Sequence, residues 1–165
     1  MSEPYGLDIV AQRALLRLSG PVPPAEAVAR ITQAIRCCRE RRIRALLVDV
    51  SGITGLEAWL TPAARFLTVK AWAEAAHGTV GVALVLPREM IDPGHLGMTA
   101  AANRGMRYAV FETESKAAAW LDAAQTRGKR ESAGSAVSET RQAGISSIPP
   151  PSPGSAMHGR RFEVR

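Results

Sequence analysis

The chain has 165 residues, of which 46% are hydrophobic, and this predicts one globular domain that needs no disulfide or metal to fold. Its formal net charge is +6, but residues 1–125 carry 14 Lys/Arg and 12 Asp/Glu, whereas residues 126–165 carry 7 and 3. Because most of the basic excess lies near the end of the chain, the net charge is weak evidence for a nucleic-acid-binding fold, and nucleic-acid binding through residues 126–165 is the least favoured hypothesis.

The first elements predicted along the chain are a hairpin and a helix. Short strands around residues 7–10 and 14–18 are joined by a turn near residues 12–13, and residues 20–24 are expected to end the second strand. A helix follows from about Ala25 to Arg41. Its apolar stripe comprises Val28, Ile31, Ile35 and Cys38. Its arginines are expected to face solvent, namely Arg30, Arg36, Arg39 and Arg41.

Two continuous apolar runs, residues 45–50 and 80–86, predict strands that are buried on both faces, as in a parallel sheet. Between these runs, Thr61 and Pro62 are typical of a helix cap and a first helical position. One face of the helix they open comprises Phe66, Val69, Lys70 and Ala73, with Trp72 beside them. His77, followed by Gly78, is suited to the end of that helix.

The last third of the domain repeats this pattern. Asp92 and Pro93 predict a helix from about residue 94 to 104, and residues 108–111 predict a final strand. Thr113 is expected to cap a closing helix. The order β-β-α-β-α-β-α-β-α favours an α/β fold with a mainly parallel sheet of four to five strands, right-handed crossovers, one antiparallel edge strand and about four helices.

After Ala124 the periodic pattern ends. Residues 126–165 are rich in Ser, Gly, Pro and Arg and include the run Pro149–Pro151. Such a composition buries too little apolar surface to offset its chain entropy, which predicts a disordered basic tail after a domain of residues 1–125. A proline-rich or basic docking arm is the alternative interpretation of this tail.

The cysteines, the first residues of the chain and its longest apolar run indicate a cellular location. Cys37 and Cys38 are adjacent, so they are poorly placed to form a disulfide with each other. Residues 1–6 lack the basic and apolar regions of a secretory signal, and the run at 80–86 is too short to span a bilayer. These features predict a cytoplasmic protein with free thiols. With no Cys-x-x-Cys pair, His cluster or nucleotide-binding glycine motif, we expect no metal and no cofactor.

Candidate chemistry is sparse along the chain. Asp49 and Ser51 follow a predicted central strand, at the end of a parallel sheet where ligands usually bind, but Asp49 could equally bond nearby amides while residues 51–52 form a turn. His95 lies at a predicted helix start, with no partner evident for acid–base catalysis. Cys37 and Cys38 lie mid-helix, away from an activating helix start. The sequence therefore predicts that the protein is not an enzyme.

The strand and helix motifs resemble a known family. The stretch Leu46–Thr54 resembles the central signature of STAS domains, the fold of anti-sigma-factor antagonists. Residues 90–97, 102–105, 110–111 and 118–121 resemble the SpoIIAA-like, STAS/SEC14-type branch, which is found in many bacterial proteins. The resemblance covers about residues 7–124 and implies a regulatory or ligand-binding role rather than catalysis. The phosphorylated serine of the antagonists would fall at Ala58, after Glu57, so that switch is not expected here.

The favoured hypothesis is a non-enzymatic bacterial regulatory domain that binds a protein partner through the loop of residues 51–60 and the helix after it. The proposed partner-binding residues are Asp49, Ser51, Thr54, Glu57, Trp59 and Thr61. The alternative is a small apolar, lipid-like ligand held between the helix that follows Pro93 and the sheet. The proposed ligand-binding residues are Trp72, Asp92 and His95.

Overall fold

The computed structural model describes residues 6–55 and 61–127. The chain divides into two units, Met1–Lys129 and Arg130–Arg165, and every described residue belongs to the first. The predicted tail therefore lies outside the described residues, apart from Thr126 and Arg127.

The elements follow the predicted order. The strands are β1 (Leu7–Val10), β2 (Arg13–Pro21), β3 (Ala45–Thr54), β4 (Gly81–Val85) and β5 (Tyr108–Phe111). The helices are α1 (Pro24–Glu40), α2 (Pro62–Ala76), α3 (Leu96–Ala102) and α4, which is helical from residue 114 to residue 127. A short 3-10 helix at Arg88–Met90, which the sequence did not predict, lies between β4 and α3.

The strands of the described residues form one five-stranded sheet in the order β1-β2-β3-β4-β5. β1 pairs with β2 in antiparallel orientation, and every other neighbouring pair is parallel. The predicted α/β class, with a mainly parallel sheet and one antiparallel edge strand, is therefore confirmed.

The two faces of this sheet are covered unequally. On the first face, which we call the three-helix face, α1, α2 and α3 pack on alternate strand residues such as Leu46, Val48 and Leu84. Strands that follow one another in sequence and in space, with crossovers of one hand, require all three helices to lie on one side. On the opposite face, which we call the α4 face, Ala117 and Leu121 of α4 pack on residues of β3 and β4.

β2 and β3 run further than the sequence predicted. Residues 20–24 were expected to end β2, yet Pro21 still pairs with Thr54, and the turn considered at residues 51–52 is part of β3. Because β1 pairs only with Arg13–Leu16, the end of β2 has one neighbouring strand, where a proline is tolerated. Gly52 is required at this register, since a Cβ atom there would lie 2.9 Å from Ser19 Cβ.

α1 shows the predicted apolar stripe, with Ile31, Ile35 and Cys38 buried. One arginine departs from the expected solvent-facing arrangement, because Arg39 Nη1 donates a hydrogen bond to the Ala75 carbonyl of α2 at 3.0 Å. Burial raises the pKa of the Cys38 thiol to about 12, with a smaller contribution from Cys37. Cys38 is therefore a core residue and not an activated nucleophile.

Candidate functional site

The polar side chains at the carboxyl end of β3 form hydrogen bonds within that strand. Asp49 is half-buried, and its Oδ1 accepts hydrogen bonds from the Ser51 amide at 2.9 Å and from Ser51 Oγ at 2.6 Å. Ser51 and Thr54 are exposed and lie on strand β3, whereas the sequence had placed them on the loop after that strand. Asp49 and Ser51 therefore have hydrogen-bond partners within their own strand. Of the predicted partner-binding residues on β3, mainly Thr54 remains available for contact with another molecule.

The start of α2 is formed as the sequence predicted. Thr61 Oγ1 accepts a hydrogen bond from the Ala64 amide at 3.2 Å, and Pro62 occupies the first turn. A threonine cap and a proline at this position both favour helix initiation. Two other predicted partner-binding residues, Glu57 and Trp59, lie outside the described residues.

Apolar side chains are exposed on α2 and α3. Phe66 is 46% exposed and Leu96 52%, and we call these two residues the apolar patch; Leu67, which follows Phe66 on α2, is 63% exposed. The sequence grouped Phe66 and Lys70 on one face of α2 with Val69 and Ala73, but the structure buries Val69 and Ala73, together with Trp72, and exposes Phe66 and Lys70. α2 is apolar on more than one side, so its pattern did not distinguish core from surface.

Phe66 and Leu96 line a surface groove together with Pro62 and Ala63 at the start of α2. The Arg104 guanidinium lies over the Phe66 ring, 4.7 Å from its centroid, as in a cation–π contact. Lys70 is exposed one turn after Phe66. The apolar patch is therefore flanked by positive charge.

A cavity of about 70 Å³ lies where α2, the segment before α3, and strands β4 and β5 meet. All three residues predicted for the ligand-binding alternative, Trp72, Asp92 and His95, line this cavity. Its walls are largely apolar, and they include Val69, Leu84, Leu86, Met90, Ile91 and Val110. An apolar cavity with a few polar groups is the usual character of a small-molecule site, although such sites typically measure roughly 300–1,000 Å³.

Trp72 is the largest fully buried side chain among residues 6–55 and 61–127, at 1% exposed, and it has a polar atom with no partner. Its buried Nε1 makes no hydrogen bond. The Tyr108 ring of β5 lies beside it, with ring centroids 6.0 Å apart and planes inclined by 56°. Burial raises the pKa of the Tyr108 hydroxyl, so this group stays neutral at physiological pH.

The cavity rim is a turn organised by Asp92. Asp92 Oδ1 accepts a hydrogen bond from the Gly94 amide at 3.0 Å, and Oδ2 accepts one from the Leu96 amide at 2.9 Å. These bonds, with the Leu96 one the larger cause, lower the pKa of Asp92. Arg65 Nη1 lies 3.8 Å from Asp92 Oδ2. The rim therefore carries one carboxylate and one guanidinium in close proximity.

His95 is the exposed cap residue of α3 and has a left-handed backbone with φ of 51°. The predicted helix start near residue 94 was two residues early, because the turn through His95 precedes the first helical residue, Leu96. His95 makes no side-chain cap bond there, and the Leu96 amide is capped by Asp92 instead. The structure thus assigns the capping role to Asp92 and leaves His95 at the cavity rim.

Two ionisable residues that line the cavity, Arg65 and Tyr108, were missed by the sequence analysis. Arg65 lies on α2, where its Nη2 donates to the Met90 carbonyl at 3.2 Å, and Tyr108 lies on the edge strand β5. Both line the cavity because the fold brings distant parts of the chain together, and local sequence patterns do not predict such contacts. The only sequence signal was the presence of polar residues in otherwise apolar segments.

Residues 6–55 and 61–127 contain neither a metal-binding cluster nor a helix that could span a membrane. No three His, Cys, Asp or Glu side chains there lie close enough together to hold a metal ion. Within the same ranges, none of the helices has the length and apolar character needed to cross a membrane.

No protein-family model, no curated protein and no solved structure matches this chain. The resemblance to STAS/SEC14-type, SpoIIAA-like domains therefore stays a prediction from the motifs.

Proposed function

We propose that the domain is a non-enzymatic regulatory module that binds a protein partner. The observation that supports this proposal is the apolar patch, whose two members, Phe66 and Leu96, are 46% and 52% exposed and line one groove. Large apolar side chains that cluster on a surface are typical of protein interaction sites. The partner surface consists of the starts of α2 and α3, together with Thr54 and Thr61.

The charge beside the patch indicates what kind of partner fits it. Arg104 and Lys70 flank the patch, and Arg104 lies directly over the Phe66 ring. A partner segment with apolar side chains for the patch and acidic residues at its margin would complement both features. We therefore propose an acidic amphipathic segment of a bacterial regulatory protein as the partner, in a cytoplasmic setting.

The test starts by capturing partners with the intact chain and then repeats binding with each purified candidate. Leu96→Asp places a charge in the patch and should weaken binding roughly tenfold or more, because buried interface residues dominate affinity. The matched control is Val10→Asp, which adds the same charge at an apolar residue that is 71% exposed on β1. Isothermal titration calorimetry measures both affinities.

Equal affinity of wild type and Leu96→Asp for every purified candidate would exclude the patch as the contact surface. Both substitutions are at exposed positions, so each should change the free energy of unfolding by less than about 0.5 kcal/mol. Trp59→Ala, tested alongside, addresses the neighbouring part of the predicted surface.

A second candidate function is the binding of a small apolar ligand. The observation that favours it is that Trp72, Asp92 and His95, three residues separated in sequence, line one cavity. A volume of about 70 Å³ accommodates only a small group, so a lipid chain would require the cavity to widen.

A further inference from the structure

Positive charge is concentrated in one short stretch of the folded domain. Residues 36–44 contain five arginines and one glutamate, which is a net charge of +4. The rest of residues 1–125 contains 9 Lys/Arg and 11 Asp/Glu, which is a net charge of −2. The small net charge of the domain therefore hides a separation of charge, and a local excess of this kind attracts anions.

The fold places this charge at the edge of the sheet where the parallel strands begin. Residues 41–44 connect α1 to β3, and Arg107 directly precedes β5. Arg107 Nη2 donates a hydrogen bond to the Arg44 carbonyl at 3.4 Å, so these two residues meet across the start of β4. We call this surface the basic edge, and its arginines are Arg41, Arg42, Arg44 and Arg107.

Three of these arginines are not neutralised by a nearby carboxylate. Arg42 and Arg44 are exposed and Arg107 is half-buried, and none of them forms an ion pair with another residue of 6–55 and 61–127. The Arg107 guanidinium lies against Gly81, where a Cβ atom would be 3.2 Å from Nη2. Because this guanidinium is already held in place, it loses less side-chain entropy when it binds an anion.

Arg42 occupies a position that ordinarily favours glycine. Its backbone is left-handed, with φ of 59°. The Arg42 amide donates to the Arg39 carbonyl at 3.1 Å and the Ile43 amide to the Cys38 carbonyl at 2.8 Å, which are the two bonds of a Schellman motif. Glycine adopts this conformation without strain. We therefore expect the charge of Arg42 to serve a purpose beyond ending α1.

The residue types at the basic edge indicate which anion fits it. All four charges are arginines, whose planar guanidinium binds phosphate oxygens through two parallel hydrogen bonds. Among the aromatic side chains of the described residues, only Phe66 is exposed, and it belongs to the apolar patch. With no exposed ring at the basic edge on which a base could stack, contact with the phosphates of a duplex is favoured over contact with single strands.

A membrane surface fits the basic edge less well. Val10 pairs with Arg13 at this edge and is the one large apolar side chain exposed there among the described residues. Peripheral membrane proteins usually combine positive charge with a broad apolar face that enters the lipid. The basic edge supplies the charge without such a face.

We propose that the basic edge binds the phosphate backbone of a nucleic-acid duplex, independently of base sequence. Arg42, Arg44 and Arg107 contact phosphates, and the counterions that these phosphates release drive the binding. This activity goes beyond the protein binding proposed for the apolar patch, because it uses different residues.

The test measures binding of the intact chain to a short fluorescent DNA duplex by fluorescence anisotropy at several salt concentrations. Arg42→Gln with Arg44→Gln removes two charges from the basic edge. Each phosphate contact contributes about −0.9 to the slope of log affinity against log salt, so this variant should flatten the slope by about 2 and weaken binding roughly tenfold or more at low salt.

The matched control removes two charges from the opposite edge of the sheet. Arg88→Gln with Lys116→Gln changes two exposed side chains that each lie 3.8 Å from the Glu112 carboxylate. This control has the same net charge as the basic-edge variant and should leave the salt slope unchanged. An equal loss of affinity in both variants would mean that only net charge matters, and it would contradict the proposal.

Arg42→Gly distinguishes a binding role from a structural one. Glycine relieves the left-handed strain, so this variant should raise the melting temperature while it weakens DNA binding and flattens the salt slope by about 1. A lower melting temperature with unchanged DNA affinity would mean that Arg42 serves only to end α1, where a positive charge favours the helix dipole.

Three further results would overturn the proposal. If Lys129→Gln with Arg130→Gln weakens DNA binding and the basic-edge variant does not, the contact lies in the basic sequence after residue 127. If the wild type does not bind DNA even at low salt, the basic edge has no such function. If it binds phosphatidylglycerol vesicles instead, with the same dependence on Arg42 and Arg44, the basic edge contacts a membrane.

Discussion

The three-helix face and the α4 face of the sheet are stabilised in different ways. The three-helix face buries a large apolar cluster that extends from Leu7 to Met106 and contains Trp72. On the α4 face the buried cluster consists of six of the described residues, and α4 is also joined to β2 by ion pairs, Arg13 with Asp122 and Arg17 with Glu114.

Each face also contains a packing defect. The three-helix face contains the cavity and the unpaired Trp72 Nε1, and on the α4 face Arg13 Nε is likewise buried without a partner. On the α4 face, the aromatic pair Phe111 and Trp120 packs with ring centroids 5.9 Å apart and leaves both side chains half-buried. We infer that the cavity is tolerated on the three-helix face because the larger core there offsets its cost.

Leucine truncation on each face should give the largest effect. Leu46→Ala, on the three-helix face, and Leu121→Ala, on the α4 face, each remove a fully buried leucine and should cost about 2–5 kcal/mol. We expect Leu46→Ala near the upper end, because β3 is held between neighbouring strands, whereas α4 can shift to fill the space. Urea denaturation measures both free energies of unfolding, and a larger loss for Leu121→Ala would reverse the comparison.

Lowering the pH should have an intermediate effect on stability, through Asp92 at the rim of the cavity on the three-helix face. The pKa of Asp92 is lowered in the folded protein by the Leu96 and Gly94 amides. Its stabilisation is therefore present above the unfolded pKa of about 3.9 and is lost as the pH falls from there through the folded pKa. Asp92→Asn supplies only one acceptor oxygen, so it should be less stable than wild type at neutral pH and should lose less stability below pH ~4. Parallel melting curves that stay the same distance apart at every pH would contradict this.

The ion pair between β2 and α4 should give the smallest effect. Arg17 Nε and Nη2 donate to the two Glu114 carboxylate oxygens at 2.7 and 2.8 Å, and this bond is the main cause that raises the pKa of Arg17. Because both side chains are exposed, solvent and salt screen their attraction. A double-mutant cycle of Arg17→Gln and Glu114→Gln should show a weak coupling that disappears at 1 M salt. A strong, salt-independent coupling would mean that the α4 face depends on this pair.

Local sequence signals predicted most elements and three residues of the cavity, Trp72, Asp92 and His95, but not Arg65 or Tyr108. The Thr61 cap, the end of α2 at His77 and the strand from Tyr108 were confirmed, because caps, turns and short apolar runs depend on neighbouring residues. The sequence grouped Phe66 with the buried Val69 although Phe66 is exposed, because helix periodicity does not say which of two apolar sides meets the sheet. The cavity depends on contacts between α2 and β5, which follow from the tertiary fold.

The strand order, which is the same along the chain as across the sheet, has a consequence for folding. Each strand from β2 onwards finds its neighbour already made, so the sheet and the three-helix face can assemble in the direction of synthesis. α4 is different, because Asp122 must reach back to Arg13, 109 residues earlier. Closing such a long loop is entropically costly, so we expect α4 to dock last, with its amides the last to gain protection in pulsed hydrogen exchange.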